Sequence, residues 1–201
     1  VFHQIFGSQD WAYYLLSQLF VVLTFFIILK FSKDFFQNQV YGLISVLLLE
    51  GIYFYNFTTP EFNVNVCQLP FYALTVYYAW KSYKKRTIDN LILLGIFASL
   101  GFLSKYLFIY LLIGIKIFFI YIILKEKKFD LRYIIPGSVF ILILVPHLIW
   151  LMENDYSTIA YAFSRTGLAN QNFLNHFTHP FIFLGKQIGI LIPFFIMFLF
   201  V

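Results

Sequence analysis

The polar stretch 54–68, FYNFTTPEFNVNVCQ, holds the densest group of side chains that could do chemistry, and it separates two strongly apolar runs. Glu61 follows Thr59 and Pro60, and Asn63 comes two residues later. A carboxylate in this setting could bind a metal ion, a sugar hydroxyl or an acceptor molecule. It could equally stabilise the first turn of a helix that begins at the Thr-Pro pair. We predict a binding site that includes Glu61 and Asn63, with helix capping as the alternative.

Lys105 stands apart from the basic clusters of the chain, between two apolar runs. An ammonium in such a place calls for an anionic partner, and phosphate fits because the ammonium acts as a point charge. The alternative is a lysine that extends to the lipid interface. Glu50 lies inside another apolar run, and it too has two interpretations. It indicates either a functional group at membrane depth or a carboxylate hydrogen-bonded near the end of the run.

The segment 152–186 carries further polar residues, among them Arg165. His176 and His179 are three residues apart, so a helix could turn both toward one metal ion, but no third ligand accompanies them. We interpret them as surface histidines. Cys67 is the single cysteine, which excludes an intrachain disulfide and a cysteine-based metal cluster. No cofactor is predicted, and a divalent metal ion is left open.

The composition predicts which elements position these residues. Of 201 residues, 61% are hydrophobic and 11% are charged, whereas soluble domains carry roughly 25% charged residues. Apolar runs that approach the ~20 residues needed to cross a bilayer indicate membrane-spanning helices and not a barrel. We therefore predict an all-α, polytopic transmembrane bundle. Its seven predicted spans cover 11–31, 39–55, 66–80, 90–104, 107–124, 133–151 and a last one from 187, interrupted by Pro193.

Charge predicts the orientation of the bundle. The connections 30–38, 81–89 and 125–132 are basic, and the alternate connections 56–65, 104–106 and 152–186 carry few basic residues. Because basic loops stay in the cytoplasm, the second set is expected on the opposite face. The net charge of +5 therefore reflects loop placement, and no nucleic-acid partner is predicted.

The fourth predicted span contains Gly95 and Gly101. These glycines thin one side of the helix, a pattern that suits close helix packing in a membrane.

Three stretches resemble a known family. They are YFYNFTTPEFNVNVCQLPFYALTVYYAWK with its Thr-Pro-acidic element, LILLGIFASLGFLSKY with its Gly-rich span ending in Leu-Ser-Lys-Tyr, and PHLIWLMENDYSTIAYAFSR with its proline, tryptophan and later arginine. In this order they resemble the glycosyltransferase family 39-like membrane enzymes, the dolichyl-phosphate-mannose protein mannosyltransferase and aminoarabinose-transferase group with a GT-C fold.

The resemblance implies an inverting glycosyltransferase in a bacterial plasma membrane. Its donor would be a polyprenyl-phosphate sugar, its acceptor a glycan, lipid or protein hydroxyl, and its active face extracytoplasmic. The resemblance carries over Glu61 at the Thr-Pro-acidic position, Lys105 at the Ser-Lys-Tyr position and Arg165 at the later basic position. These three residues, with Asn63 and Tyr106, are predicted to bind substrate. Lys105 and Arg165 would steady the departing phosphate.

The family's catalytic aspartate has no counterpart in this sequence, so the base is expected upstream of Val1. The chain is accordingly expected to be an internal piece of a single transmembrane domain, incomplete at both ends.

Two alternatives stay open on the sequence. A transporter or flippase for a lipid-linked sugar would need a polar route through the bundle, and no internal repeat of the kind common in transporters is visible. A membrane assembly protein could keep the fold without the chemistry. No Gly-rich phosphate loop, HExxH or GxSxG motif is present, so soluble nucleotide chemistry has no support.

Overall fold

The computed structural model describes residues 2–165 and 175–200, and within these residues it is helical without strands. The nine α-helices of this part are α1 (Phe2–Phe6), α2 (Asp10–Ser32), α3 (Gln39–Glu50), α4 (Val64–Lys84), α5 (Ile88–Ser104), α6 (Ile109–Glu126), α7 (Ile135–Glu153), α8 (Ser157–Arg165) and α9 (Asn175–Phe198). Short 3-10 turns lie at Tyr53–Tyr55, Tyr106–Phe108 and Leu131–Ile134. The all-α prediction is confirmed.

Each of the seven predicted spans coincides with a helix, namely α2 to α7 and α9. Four segments of the described part are long and apolar enough to cross a membrane: Asp10–Ser32, Tyr106–Glu126, Leu131–Glu153 and Phe177–Phe198. Helices α3 and α5 are apolar but shorter, with 12 and 17 residues. The chain is therefore an integral membrane protein whose helices differ in length.

The second predicted span is too long. It was expected to reach residue 55, but α3 ends at Glu50 and a 3-10 turn follows. Glu50 is the last residue of this helix, and its side chain is exposed. Gly51 comes next, and a Cβ atom there would lie 2.8 Å from the Cα of Phe194 in α9, so the chain can only pass α9 this closely at a glycine.

The segment 152–186 was expected to be a connection, but it contains α8 and the first half of α9. The last span was expected to begin at 187 and to break at Pro193. Instead α9 begins at Asn175 and continues through Pro180 and Pro193. Membrane helices tolerate proline because neighbouring groups can satisfy the freed backbone.

Helix α4 is the centre of the bundle. It packs between α2 and α5, while α5 packs against α7, and α3 contacts α2 and α9. The α2, α4 and α5 helices bury small polar side chains, which let helix backbones approach closely in a membrane. These fully buried residues are Ser17, Thr24, Thr75, Ser82 and Ser99.

The two predicted packing glycines of α5 both make close contacts, but on different faces. A Cβ atom on Gly95 would lie 2.7 Å from the carbonyl oxygen of Pro136 in α7. A Cβ atom on Gly101 would overlap the ring of Phe108, which is fully buried. Gly95 therefore allows α7 to pack closely against α5, and Gly101 leaves space for Phe108 in the turn that follows Lys105.

Contacts among the described residues place the three basic connections at one end of the bundle and Asn65 and Lys105 at the other. At the basic end, Lys81 pairs with Asp34 at 3.2 Å and Arg86 binds Glu126 at 2.6 Å. These contacts join the α2–α3, α4–α5 and α6–α7 connections. At the other end, Lys105 reaches the first turn of α4, where its Nζ lies 2.7 Å from Oδ1 of Asn65.

Lys116 lies near the middle of the apolar segment Tyr106–Glu126, with about 15 Å of helix on either side. Sequence reasoning missed it. Its side chain is exposed, and α6 has Ile122 as its one residue buried among the described parts of the chain. A lysine at the centre of a membrane helix costs about 2.5–3.5 kcal/mol on insertion scales.

Candidate functional site

The polar segment between α3 and α4 is fixed onto α2. The hydroxyl of Ser17, which is fully buried, donates to the carbonyl oxygen of Thr59 at 2.5 Å. Gln18 donates to the same oxygen at 3.2 Å. The Thr59 hydroxyl donates to the carbonyl oxygen of Asn56 at 2.8 Å. These bonds give the irregular backbone hydrogen-bond partners that lipid could not supply.

Asn63 caps α4. Its Oδ1 accepts from the backbone N–H groups of Asn65 and Val66 at 2.9 and 3.2 Å, and its Nδ2 donates to the carbonyl oxygen of Glu61 at 3.3 Å. An asparagine at this position is strongly preferred because it satisfies N–H groups that lack a helical partner. The alternative role predicted for Glu61, in the first turn of a helix that begins at the Thr-Pro pair, is wrong, because α4 begins only at Val64 and Asn63 is its cap. The predicted contact of Asn63 with substrate stays a prediction.

A cavity of about 260 Å³ opens beside the first turns of α4. One wall is a single face of this helix, since four lining residues follow the i, i+3, i+4, i+7 spacing; these are Asn65, Gln68, Leu69 and Tyr72. The other wall is the beginning of the α3–α4 connection, with Ile52, Phe54 and Tyr55. The lining combines aromatic rings, amides and phenols, and none of these side chains is charged.

Tyr55 anchors the second wall of the cavity. Its ring stacks on Phe25 with the ring centroids 5.9 Å apart. Burial raises the pKa of the Tyr55 phenol above its usual value, and the nearby Tyr72 phenol adds to the effect. The Tyr55 hydroxyl therefore stays neutral and can both donate and accept a hydrogen bond.

Lys105 lies at the edge of this cavity. Its ammonium donates to Asn65, which lines the cavity, and among the described residues it has no carboxylate partner. Gln68, which is almost fully buried, donates to the carbonyl oxygens of Lys105 and Gly101 at 3.2 and 3.5 Å. The amides thus orient Lys105 and leave its charge unneutralised.

Tyr106 joins the neighbouring helices. Its hydroxyl lies 2.6 Å from Nε2 of His147 in α7 and 2.9 Å from the hydroxyl of Thr158 in α8. The His147 ring stacks on Trp150, with the centroids 5.9 Å apart. Sequence reasoning singled out Tyr106 but missed His147 and Thr158. The spacing of His147 and Trp150, one helical turn apart in PHLIW, was the available signal.

The other predicted site residues are less constrained. Glu61 is exposed, and its carboxylate makes no hydrogen bond or ion pair within the described ranges. Arg165 is the last residue of α8, and its side chain lies outside the described part. His176 lies in α9, again without a described side chain, and His179 lies in the same helix. No group of three His, Cys, Asp or Glu residues within the described part could hold a metal ion.

The arrangement suits a ligand with a neutral polar part and an anionic part. Amides and phenols can bond hydroxyl groups, and the aromatic rings give apolar contact. A cation at the cavity edge can bind phosphate as a point charge.

The sequence was compared with models of known protein families. A family model described as dolichyl-phosphate-mannose-protein mannosyltransferase matches residues 1–150, which is about three quarters of the chain. The matched region contains the cavity, Lys105, Tyr106 and His147, and it ends before α8. Neither the curated proteins nor the solved structures gave a match.

Proposed function

The chain belongs to the dolichyl-phosphate-mannose-protein mannosyltransferase family, and from this premise we propose that it serves the transfer of a sugar from a polyprenyl-phosphate donor to an acceptor hydroxyl. Membership makes it a membrane glycosyltransferase of the GT-C type. The donor, the acceptor and the side of the membrane are part of the proposal, and so is each residue role given below.

The position of Lys105 carries the proposal. Its ammonium stands at the edge of a neutral cavity and is held by the amide of Asn65 at 2.7 Å, not by a carboxylate. A phosphate group that leaves a sugar gains negative charge as the bond breaks, and a preorganised cation stabilises that charge. Arg165 would add a second positive charge on the same side of the bundle.

The cavity next to Lys105 would hold the sugar. Asn65, Gln68 and Tyr72 present polar atoms from one helix face, and Tyr55 presents a neutral phenol from the other wall. The acceptor oxygen would attack the anomeric carbon opposite the phosphate, after a base removes its proton. Glu61, which is exposed in the α3–α4 connection, would bind the acceptor or the sugar.

The site would face away from the cytoplasm. The three basic connections gather at one end of the bundle, and Lys105, Asn65 and Tyr106 lie at the other. Basic loops remain on the cytoplasmic side. A lipid-linked donor would accordingly be used on the extracytoplasmic face.

The test is sugar transfer by the full-length protein in membranes that contain a labelled polyprenyl-phosphate sugar. Lys105→Ala and Glu61→Ala are expected to lose transfer, and Lys105→Arg is expected to keep part of it. Lys85→Ala, a change of the same kind at the basic end, is the matched control and should transfer normally. Wild type that moves labelled lipid between leaflets without transferring the sugar would contradict the proposal.

A further inference from the structure

Helix α6 carries a pattern that its packing does not explain. Four isoleucines and Lys116 follow a 4-3-4-3 spacing along one face of the helix; we call this face the Lys116 seam, and it consists of Ile109, Ile113, Lys116, Ile120 and Ile123. Spacing of this kind places all five side chains on one side, as at the contact between two packed helices. Three of the isoleucines expose 39–48% of their surface, so the described residues leave the seam largely uncovered.

Contact between lipid chains and the Lys116 seam would be unfavourable, because Lys116 carries a charge. It lies about 15 Å of helix from either end of its apolar segment, which is farther than its side chain can extend. It makes no hydrogen bond, ion pair or aromatic contact within the described part of the chain. Charged residues at this depth almost always face other protein or a water-filled cavity and pair with a counter-charge.

We propose that the Lys116 seam packs against a further transmembrane helix that presents an aspartate or glutamate at the level of Lys116. The isoleucines would supply close packing, and the ion pair would fix the register, as a single buried polar residue does in coiled coils. This inference concerns assembly, and it does not rest on the proposed sugar transfer.

Charge complementarity selects this occupant. A second copy of α6 packed on the same seam would bring Lys116 close to another Lys116, and like charges in a low-dielectric environment repel strongly. Anionic lipid head groups lie at the bilayer surfaces and not at its centre. A helix with a carboxylate at mid-membrane would place a negative charge at the depth of Lys116, and it would avoid repulsion between two lysines.

The first test is thermal unfolding of the full-length protein in native-lipid nanodiscs. Lys116→Met keeps the length of the side chain and removes its charge, so a paired carboxylate would be stranded in the membrane. We expect the unfolding midpoint to fall by several degrees, whereas Lys116→Arg should leave it nearly unchanged. Ile117→Met, an adjacent exposed position off the seam, is the matched control and should also leave it unchanged. An unchanged or raised midpoint in Lys116→Met would overturn the proposal.

The second test locates the partner. A photo-crosslinking residue at position 113 or 120 of the full-length protein in native membranes is expected to give peptide adducts, and mass spectrometry should map them within about one turn of an aspartate or glutamate. Positions 110 and 121 lie off the seam and are exposed, so they should give mainly lipid adducts. Lipid adducts alone at 113 and 120, or adducts to α6 of a second copy, would refute the carboxylate-bearing helix.

Discussion

At the scale of single residues, the Tyr106 hydroxyl is the point where three parts of the site meet. It lies within hydrogen-bond distance of His147 and Thr158, and it directly follows Lys105 in the chain. A tyrosine hydroxyl has one proton to donate and lone pairs to accept, so it can serve both neighbours at once. Its position therefore couples α7 and α8 to the lysine at the cavity edge.

Removal of this hydroxyl should loosen α8 and weaken transfer. Tyr106→Phe loses both hydrogen bonds, which are worth about 0.5–1.5 kcal/mol each. We expect faster amide exchange in α8 and a raised KM for the labelled donor, with membrane insertion unchanged. His147→Gln keeps a side chain that can share a hydrogen bond and should retain more activity than His147→Leu. Equal exchange in wild type and Tyr106→Phe would show that Tyr106 does not hold α8.

The asparagines of the 54–68 stretch show how much of the site the sequence predicts. The stretch is predicted to form a binding site, which stays a prediction; residues at its two ends line a cavity, but Glu61 and Asn63 do not. The choice between Asn63 and Asn65 depends on the residue at which α4 begins. Because α4 begins at Val64, Asn63 becomes its cap and Asn65 turns to the cavity. Helix starts are fixed only to within a few residues by sequence patterns, and a start two residues later, at Val66, would make Asn65 the cap instead of Asn63.

At the scale of elements, the end of α5 depends on a glycine. The ring of Phe108 occupies the space where a side chain at Gly101 would lie, and Phe108 follows the turn that carries Lys105 and Tyr106. Any side chain at position 101 must displace this ring.

Gly101→Ala should therefore destabilise the protein by about 1–3 kcal/mol, the usual cost of overpacking, and should reduce sugar transfer. Gly114→Ala is the control, because nothing lies within 4 Å of a Cβ atom at that position. Thermal unfolding and transfer assays on the two variants would separate packing from a general effect of alanine. Equal stability of both variants would rule out the close contact at Phe108.

Hydropathy predicts most of the helices, and its failures have a physical cause. The spans give strong signals because each is a long apolar run. Helix α8 has nine residues and mixes polar with apolar positions, so it makes no peak in hydropathy. The first half of α9 is polar and aromatic, with Pro180 inside it, which reads as a connection until tertiary contacts are known.

At the scale of the whole molecule, an ion-pair network ties the basic end together. Arg132 binds Asp130 at 2.7 Å and donates to the carbonyl oxygen of Arg86 at 2.8 Å, while Arg86 binds Glu126. Two of the three basic connections are thereby joined. The hydrogen bonds from Arg132 lower the pKa of Asp130 to about 2 from its usual 3.8.

This pKa shift predicts a pH dependence. A carboxylate whose pKa falls on folding stabilises the folded state above its unfolded pKa, and this contribution disappears as the pH drops through the folded value. The Asp130 contribution should thus be present above pH 4 and decline between about pH 4 and 2. Asp130→Asn should reduce the difference in unfolding midpoint between pH 6 and pH 3. An Asp130→Asn variant that keeps the wild-type difference would contradict this role of Asp130.

The alternation of the two ends follows from the charges of the connections, and the sequence predicts it. The neighbours of each helix are not predictable in this way. Helix α4 packs between α2 and α5, and α3 contacts α9, because buried small side chains and glycines select the pairs. Neither the spacing nor the composition of these small residues in a single sequence indicates which two helices will pack together.

The contact between Gly51 and Phe194 can form only after the ribosome has made both positions. About 140 residues separate the two positions, and a ribosome that adds ~5–20 residues per second needs roughly 7–30 s to make them. Throughout that interval α3, with only 12 residues, must wait beside α2 without its second neighbour. The short helix α3 therefore gains its contact with α9 only after the last part of this sequence has been made.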